Sequence, residues 1–345
     1  MEKIVIASTH QGSGKTSLIV GMARTSGKSF GYIKPFGDRL LYRKKRLWDY
    51  DSALIASIFG TDNDPEQMSI GFDHSKLRYM YDAEGIKDKL AEIVEEAGSG
   101  KDVVFLECGK NMTQAVSIHL DPISVAKSVG GRLVVVVSGS EDSIMDDITY
   151  LKRYTQMEDV NFHGVILNKL QSMEDFRETY LPAIEEMGVK VLGMVPDNQN
   201  LTYPSLDYIS DVLFAKVLAG EEGLGNKVKH IFVGAQSADA ALRNPLFKKE
   251  DKLIITSGDR SDMILAALES ETSGIVLANN ILPPHNIISK ASEKKIPLLL
   301  VPSDTFKAAK QVDDMECLIS KRNQDKIELV SDLVKEHVDL KALLG

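Results

Sequence analysis

The sequence predicts an α/β protein with a doubly wound, mostly parallel sheet and a second, smaller α/β domain. Two observations carry that expectation. Apolar runs alternate with stretches of helical spacing through the first two-thirds of the chain, as consecutive βαβ units require. Two of the runs, Asp102–Glu107 and Arg132–Ser138, are almost continuously apolar, the pattern of strands buried on both faces of a parallel sheet.

The elements follow in order. Lys3–Ala7 reads as a strand, followed by a glycine-rich turn and a helix over about Thr16–Arg24. Phe30–Lys34 is a second strand, stopped by Pro35, which has no amide hydrogen to give a ladder. Asp51–Phe59 and Ala83–Ala97 carry helical spacing. After the two buried strands come Gly164–Asn168, a helix over Met173–Met187 and a strand over Val189–Val195. Residues 221–228 lie in a glycine-rich, charged stretch and read as a linker. Beyond it, strands are expected at His230–Val233, Lys252–Ile255, Gly274–Ala278 and Pro297–Val301, with helices between them. Gln324–Leu344 closes the sequence as one amphipathic helix. The expected division is 1–220, a linker at 221–228, 229–313, and a helical extension over 314–345.

The chain has 345 residues, and 41 Lys+Arg against 50 Asp+Glu give a net charge of −9. That balance disfavours non-specific nucleic-acid binding. No apolar run approaches the roughly 18 residues a membrane span needs. The first residues enter a strand directly, so no signal peptide is expected and the location implied is cytoplasmic. Cys108 and Cys317 are the two cysteines, too few for a disulfide scaffold or zinc cluster.

The chemistry concentrates in the first turn. Ser8-Thr9-His10-Gln11-Gly12-Ser13-Gly14-Lys15-Thr16-Ser17 links a strand to a helix, the context a phosphate-binding P-loop demands. Glycines let the backbone wrap an anion closely, and the helix N-terminus adds partial positive charge. Lys15 would bridge the terminal phosphates and Thr16 would hold Mg²⁺. The strict pattern has glycine where Thr9 stands. Since Mg²⁺ usually takes carboxylates as well, Asp51, at a helix start, and Glu107, at a strand end, are its further candidate ligands.

With these residues in place, the first 220 residues resemble the dethiobiotin synthetase group of P-loop proteins, a domain shared with cobyrinic acid a,c-diamide synthases. Thr9 fits that group's loop. Gly31-Tyr32-Ile33-Lys34-Pro35 resembles its Lys-Pro segment, and the resemblance makes Lys34, with Lys15, a catalytic lysine. It also makes Asp51 and Glu107 metal ligands, Asn168 the base-recognising residue, and Pro196-Asp197 the loop lining adenine. Residues 229–313 resemble a DRTGG domain, through Gly258-Asp259-Arg260-Ser261-Asp262, Gly274–Asn279 and the stretch from Ile296 to Thr305. The pairing is similar to the N-terminal region of long phosphotransacetylases. Their acetyl-transferring domain has no counterpart in the sequence, so acetyl transfer is not implied. Departure from the group's glycine-rich run at Cys108-Gly109-Lys110-Asn111-Met112 implies a different substrate pocket.

Other features have plainer alternatives. Cys108 is a candidate nucleophile or, without a histidine partner in sequence, a small filler. Arg43-Lys44-Lys45-Arg46 is a solvated loop or a loop for an anionic substrate. His10 touches a phosphate or faces solvent. Asp259-Arg260 forms a ligand site or an ion pair fixing a turn. The expected function is Mg²⁺·ATP binding, with ATP hydrolysis or phosphorylation of a small carboxylate-bearing molecule. The alternative is a nucleotide-sensing module acting on a partner enzyme. The expected partners are a small anionic substrate or ligand, with no nucleic acid or membrane. A homodimer is implied by the resemblance, with the apolar stripe of the last helix as a candidate interface.

Overall fold

The structure is a computed structural model that describes residues 1–43, 46–60, 64–315, 319 and 323–345. It divides into two compact units, one formed by residues 1–198 together with 324–345, the other by 199–323.

The first unit begins with β1 (Glu2–Ser8), α1 (Lys15–Thr25), β2 (Phe30–Ile33), the hairpin strands β3 (Leu40–Arg43) and β4 (Arg46–Asp49), and α2 (Tyr50–Phe59). It continues through α3 (His74–Met80), α4 (Ala83–Gly98), β5 (Val103–Glu107), α5 (Pro122–Val129), β6 (Arg132–Val137) and α6 (Glu141–Met157). Then come β7 (Phe162–Leu170), α7 (Met173–Thr179), α8 (Leu181–Glu186) and β8 (Val191–Pro196). The six-stranded sheet has the order β2-β5-β1-β6-β7-β8, and all its pairings are parallel. The runs Val103–Leu106 and Leu133–Val137 have no exposed surface, as their uninterrupted apolar character requires. The chain passes from β5 to β6 across β1, so the end of β1 opens at the switch point where ligands gather in such sheets.

The second unit contains α9 (Gln199–Thr202), α10 (Leu206–Val212), β9 (Lys216–Ala219), β10 (His230–Val233), α11 (Ala238–Arg243), β11 (Lys252–Ser257), α12 (Ser261–Leu268), β12 (Thr272–Ala278), α13 (His285–Glu293), β13 (Leu298–Leu300) and α14 (Thr305–Asp313). Its sheet runs β10-β11-β12-β13-β9, parallel except for antiparallel β9. One core cluster joins Ile254 and Ile275 to Met263 and Ile287, and another joins Leu253 and Val276 to Leu206 and Ala308. Both faces of the sheet are therefore covered.

The chain then returns to the first unit as α15 (Gln324–His337) and α16 (Leu340–Leu344). Several boundaries thus differ from the sequence reading. Residues 199–220 fall in the second unit, because Lys216–Ala219 pairs with β13 there. Within the expected linker, Glu221–Gly223 forms a 3₁₀ turn, whose preceding Gly220 has φ 71°. The 173–187 stretch is two helices meeting at Tyr180, with Pro182 in the first turn of the second. The closing helix is also two. Val338 bridges Gly193, the Asp339 amide donates to the Leu192 carbonyl, and the Asp339 side chain caps α16 through the Ala342 amide. The apolar stripe expected as an interface between copies is buried within the chain: Ile327, Val330 and Val334 are covered, and α15 packs on α1 and β8.

Candidate functional site

The predicted loop spans the turn from β1 to α1, with Gly14 as the helix N-cap at φ 93° and Gly12 at φ 75°. That left-handed backbone suits glycine alone at little cost. A Cβ on Gly14 would stand 2.4 Å from the Asn168 Nδ2. No side chain caps α1, leaving its first amides free to face an anion. The hydroxyl of Thr9 is buried and has no hydrogen-bond partner among the described residues. An uncapped helix start behind left-handed glycines and an orphaned hydroxyl fit a phosphate chain.

The loop is braced from several strand ends. Ser8 Oγ and Ser13 Oγ both donate to the His10 carbonyl at 2.8 Å, and Ser138 Oγ donates to Ser13 Oγ at 3.0 Å. His10 lies 2.9 Å from Asp147 of α6, half exposed. Gln11 is exposed and Ser17 half-buried. Asn168 Nδ2 donates to the Ser13 carbonyl at 2.7 Å, and Lys169 Nζ to that of Gly12 at 2.8 Å. Pro196 pairs with Leu170 at the sheet edge, and the Asp197 amide donates to the Leu170 carbonyl. Asn168 and Pro196-Asp197 therefore sit at neighbouring strand ends.

Lys15 is buried, its ammonium donating to Ser8 Oγ at 2.7 Å. Burial lowers its pKa, and the Glu107 charge opposes that. Thr16 donates its hydroxyl to Glu107 Oε1 at 2.8 Å, and the Tyr32 hydroxyl donates to Oε2 at 3.0 Å. Burial, then Glu107, hold the Tyr32 phenol well above its usual pKa, so it remains a donor. Burial, then the charge of Asp51, raise Glu107 to about 7.

Lys34, predicted beside the phosphates, is held by three acids. Its ammonium lies 2.6 Å from Asp38, 3.6 Å from Asp49 and 2.5 Å from Asp51. Burial alone would lower its pKa; Asp51, Asp49 and the other carboxylates outweigh it and keep the charge. Asp51 works the other way. Burial would raise its pKa, but Lys34 and then Arg39 pull it below the usual value. Asp49, farther from Lys34, is raised, with burial the main cause. Asp49 also caps α2 through the Asp51 and Ser52 amides, which fixes where Asp51 points. The carboxylates of Asp38, Asp49 and Asp51 lie within 4.8 Å of one another. Thr16, Glu107 and Asp51 offer hard oxygen atoms, the donor set suited to Mg²⁺.

Asp38, Asp49, Tyr32 and Arg39 escaped the sequence reading. Asp49 alone left a signal, an N-cap residue just before a helical run. Cys108 is buried with its thiol pushed far above the usual range by burial, which leaves it a filler. Cys317, Lys44 and Lys45 lie outside the described residues. Arg46 pairs with Asp64 and Glu66 at the surface. Arg260 donates to the Gln236 carbonyl and pairs with Asp262, which ties down the turn at the end of β11.

Comparison with known proteins adds the following. A family model described as an AAA domain matches residues 2–205, and one described as a DRTGG domain matches residues 208–315. Over 368 residues the chain is 26% identical to the phosphate acetyltransferase of Pseudomonas putida, covering 98% of this chain and 51% of that protein. Over 375 residues it is 24% identical to the phosphate acetyltransferase of Pseudomonas aeruginosa, covering 99% and 52%. The chain thus spans about half the length of the curated relatives it matches. A solved structure of the CBS and DRTGG domains from the regulatory region of Clostridium perfringens pyrophosphatase, complexed with its activator diadenosine tetraphosphate, aligns at a TM-score of 0.29 and 19% identity. That alignment covers 50% of this chain and 86% of the other.

Proposed function

Since the chain belongs to the AAA domain family, with a P-loop domain followed by a DRTGG domain, we propose that it binds Mg²⁺·ATP at the β1–α1 turn. The observation that carries this reading is the pairing of the Thr16 hydroxyl with Glu107 Oε1, beside a loop whose Gly12 and Gly14 take left-handed backbone at an uncapped helix start. Thr9 to Ser17 would wrap the phosphates, and Asn168 with Pro196-Asp197 would face the base. Thr16, Asp51 and Glu107 would hold the metal. Bound there, Mg²⁺ would neutralise charge on the phosphate oxygens.

The protein's own residues supply the rest. Lys15, poorly solvated where it lies on Ser8, gains most by meeting a phosphate oxygen, because an anion replaces a neutral hydroxyl as its partner. Lys34 stays charged whatever the pH near neutrality, and its four carbon–carbon links let it swing from Asp51 to an anion. Positioned cations of this kind carry most of the rate in phosphoryl transfer, so no dedicated base is required. The activity we infer is ATP hydrolysis or ATP-dependent phosphorylation of a small carboxylate-bearing molecule, in a cytoplasmic homodimer.

A second reading is favoured by one observation. The chain leaves the nucleotide unit, forms the DRTGG-bearing unit and returns as α15 onto α1, the helix that begins with Lys15. A nucleotide sensor acting on a partner enzyme would use such a connection. Calorimetry with ATP tests the site common to both readings: Lys15→Ala should weaken binding at least tenfold with an unchanged melting temperature, and equal binding would remove the phosphate-site reading. Steady ATP consumption by the purified protein would then favour the enzyme over the sensor.

A further inference from the structure

Two consecutive residues at the end of β7 grip two consecutive carbonyls of the glycine loop. Asn168 Nδ2 reaches the Ser13 carbonyl at 2.7 Å and Lys169 Nζ reaches the Gly12 carbonyl at 2.8 Å. In a planar trans peptide the carbonyl and the next N–H point in opposite directions. Drawing these carbonyls toward β7 therefore turns the Ser13 and Gly14 amides away from it. Among the described residues neither amide has an acceptor. The hold is also close: Asn168 is buried, and its amide occupies the space a Cβ on Gly14 would need. Lys169 adopts φ 63°, a left-handed backbone that is unfavourable for a residue with a side chain.

We propose that Asn168 and Lys169 are positioning residues that pre-organise the loop amides for a phosphate chain, so that they govern phosphate affinity independently of any base. The inference rests on the reading of this loop as the phosphate site. It differs from assigning Asn168 to the base alone, because a base reader is indifferent to a ligand without a base. Loop amides fixed before binding need no ordering when the anion arrives, which is where the affinity comes from.

The test compares ATP with inorganic tripolyphosphate by calorimetry, and follows hydrogen exchange of the 9–17 segment in ligand-free protein. Asn168→Ala should weaken both ligands about tenfold, since it strands a loop carbonyl. Lys169→Met, at an exposed position that tolerates the change, should weaken both about threefold, and Lys169→Arg should restore them. Both weakened variants should exchange the loop amides faster, and Lys169→Met should do so with its melting temperature unchanged. Loss of ATP affinity with tripolyphosphate affinity intact would overturn the proposal and leave Asn168 a base reader. If the unmodified protein binds neither ligand, the phosphate-site reading fails on its own. Exchange then decides the loop hold: unchanged exchange in Lys169→Met and Asn168→Ala overturns it, and faster exchange sustains it.

Discussion

Glu107 shows how one residue's chemistry is set by its surroundings. Its sequence position, the last residue of an apolar strand, marked it as a ligand, but nothing there foretold that both its oxygens accept hydrogen bonds from Thr16 and Tyr32. Around it three cations, Lys15, Lys34 and Arg39, face four acids, Asp38, Asp49, Asp51 and Glu107 itself. Burial, and then Asp51, lift Glu107 from 4.5 to about 7. A carboxyl that keeps its proton better when folded makes the native state the larger proton binder between those values. Stability therefore falls as pH rises through that window. Glu107→Gln cannot ionise. In the presence of a chelator, urea denaturation should show the variant gaining on the unmodified protein by on the order of 2–3 kcal/mol between pH 5 and pH 8. A difference that stays flat with pH would refute the shift. Lys34 teaches the complementary lesson. The Lys-Pro segment was legible, but its partner acids come from the 38–51 stretch, where only Asp49 and Asp51 carry a helix-start pattern.

The elements were legible in proportion to their periodicity. Strands β1, β5 and β6 stand where the apolar runs do, since a strand buried on both faces has no polar residue to blur it. The hairpin β3–β4 went unseen because Leu40–Asp49 mixes charges with apolar residues at no fixed period. The 324–344 stretch was legible as amphipathic helix, but its break was not. That break answers to a partner: Val338 and Asp339 hydrogen-bond the edge of β8, which covers an otherwise open strand. Gly21 is a sharper case. In a helix interior, glycine to alanine ordinarily gains roughly 0.5–1 kcal/mol. Here a Cβ would stand 2.5 Å from Val334 Cγ2 and 3.0 Å from the Val330 carbonyl, and overpacking of that kind costs roughly 1–3 kcal/mol. Gly21→Ala should therefore lower the melting temperature, and much of the loss should be regained when Val334→Ala is added. A stabilised Gly21→Ala protein would contradict the close approach of α1 and α15.

At the scale of the molecule, the net charge of −9 conceals a site where cations and acids are nearly matched. Among the described residues no helix is long and apolar enough to cross a membrane. The first unit is discontinuous in sequence, completed by 22 residues that follow the second unit. Removing residues 324–345 would uncover the Gly21 face of α1 and the β8 edge at Leu192 and Gly193. The shortened protein should melt several degrees lower, and it should bind ATP more weakly, because α1 carries Lys15 and Thr16 at its start. Melting curves and calorimetry check both; unaltered ATP affinity would separate α15 from the phosphate site.

The sequence by itself determined the α/β class and the glycine-rich turn between the first strand and the first helix, and its resemblance to a known family pointed to the DRTGG domain. The class and the turn are written locally, in the period of apolar residues and in glycines whose backbone must turn within a few residues. Tertiary structure alone decided which carboxylates surround Lys34, that Asn168 and Lys169 hold the loop carbonyls, and that the last helices belong to the first unit. An amphipathic stripe or a buried charge records that a partner is needed. Which partner it meets depends on contacts between residues far apart in the chain, and no local pattern encodes them.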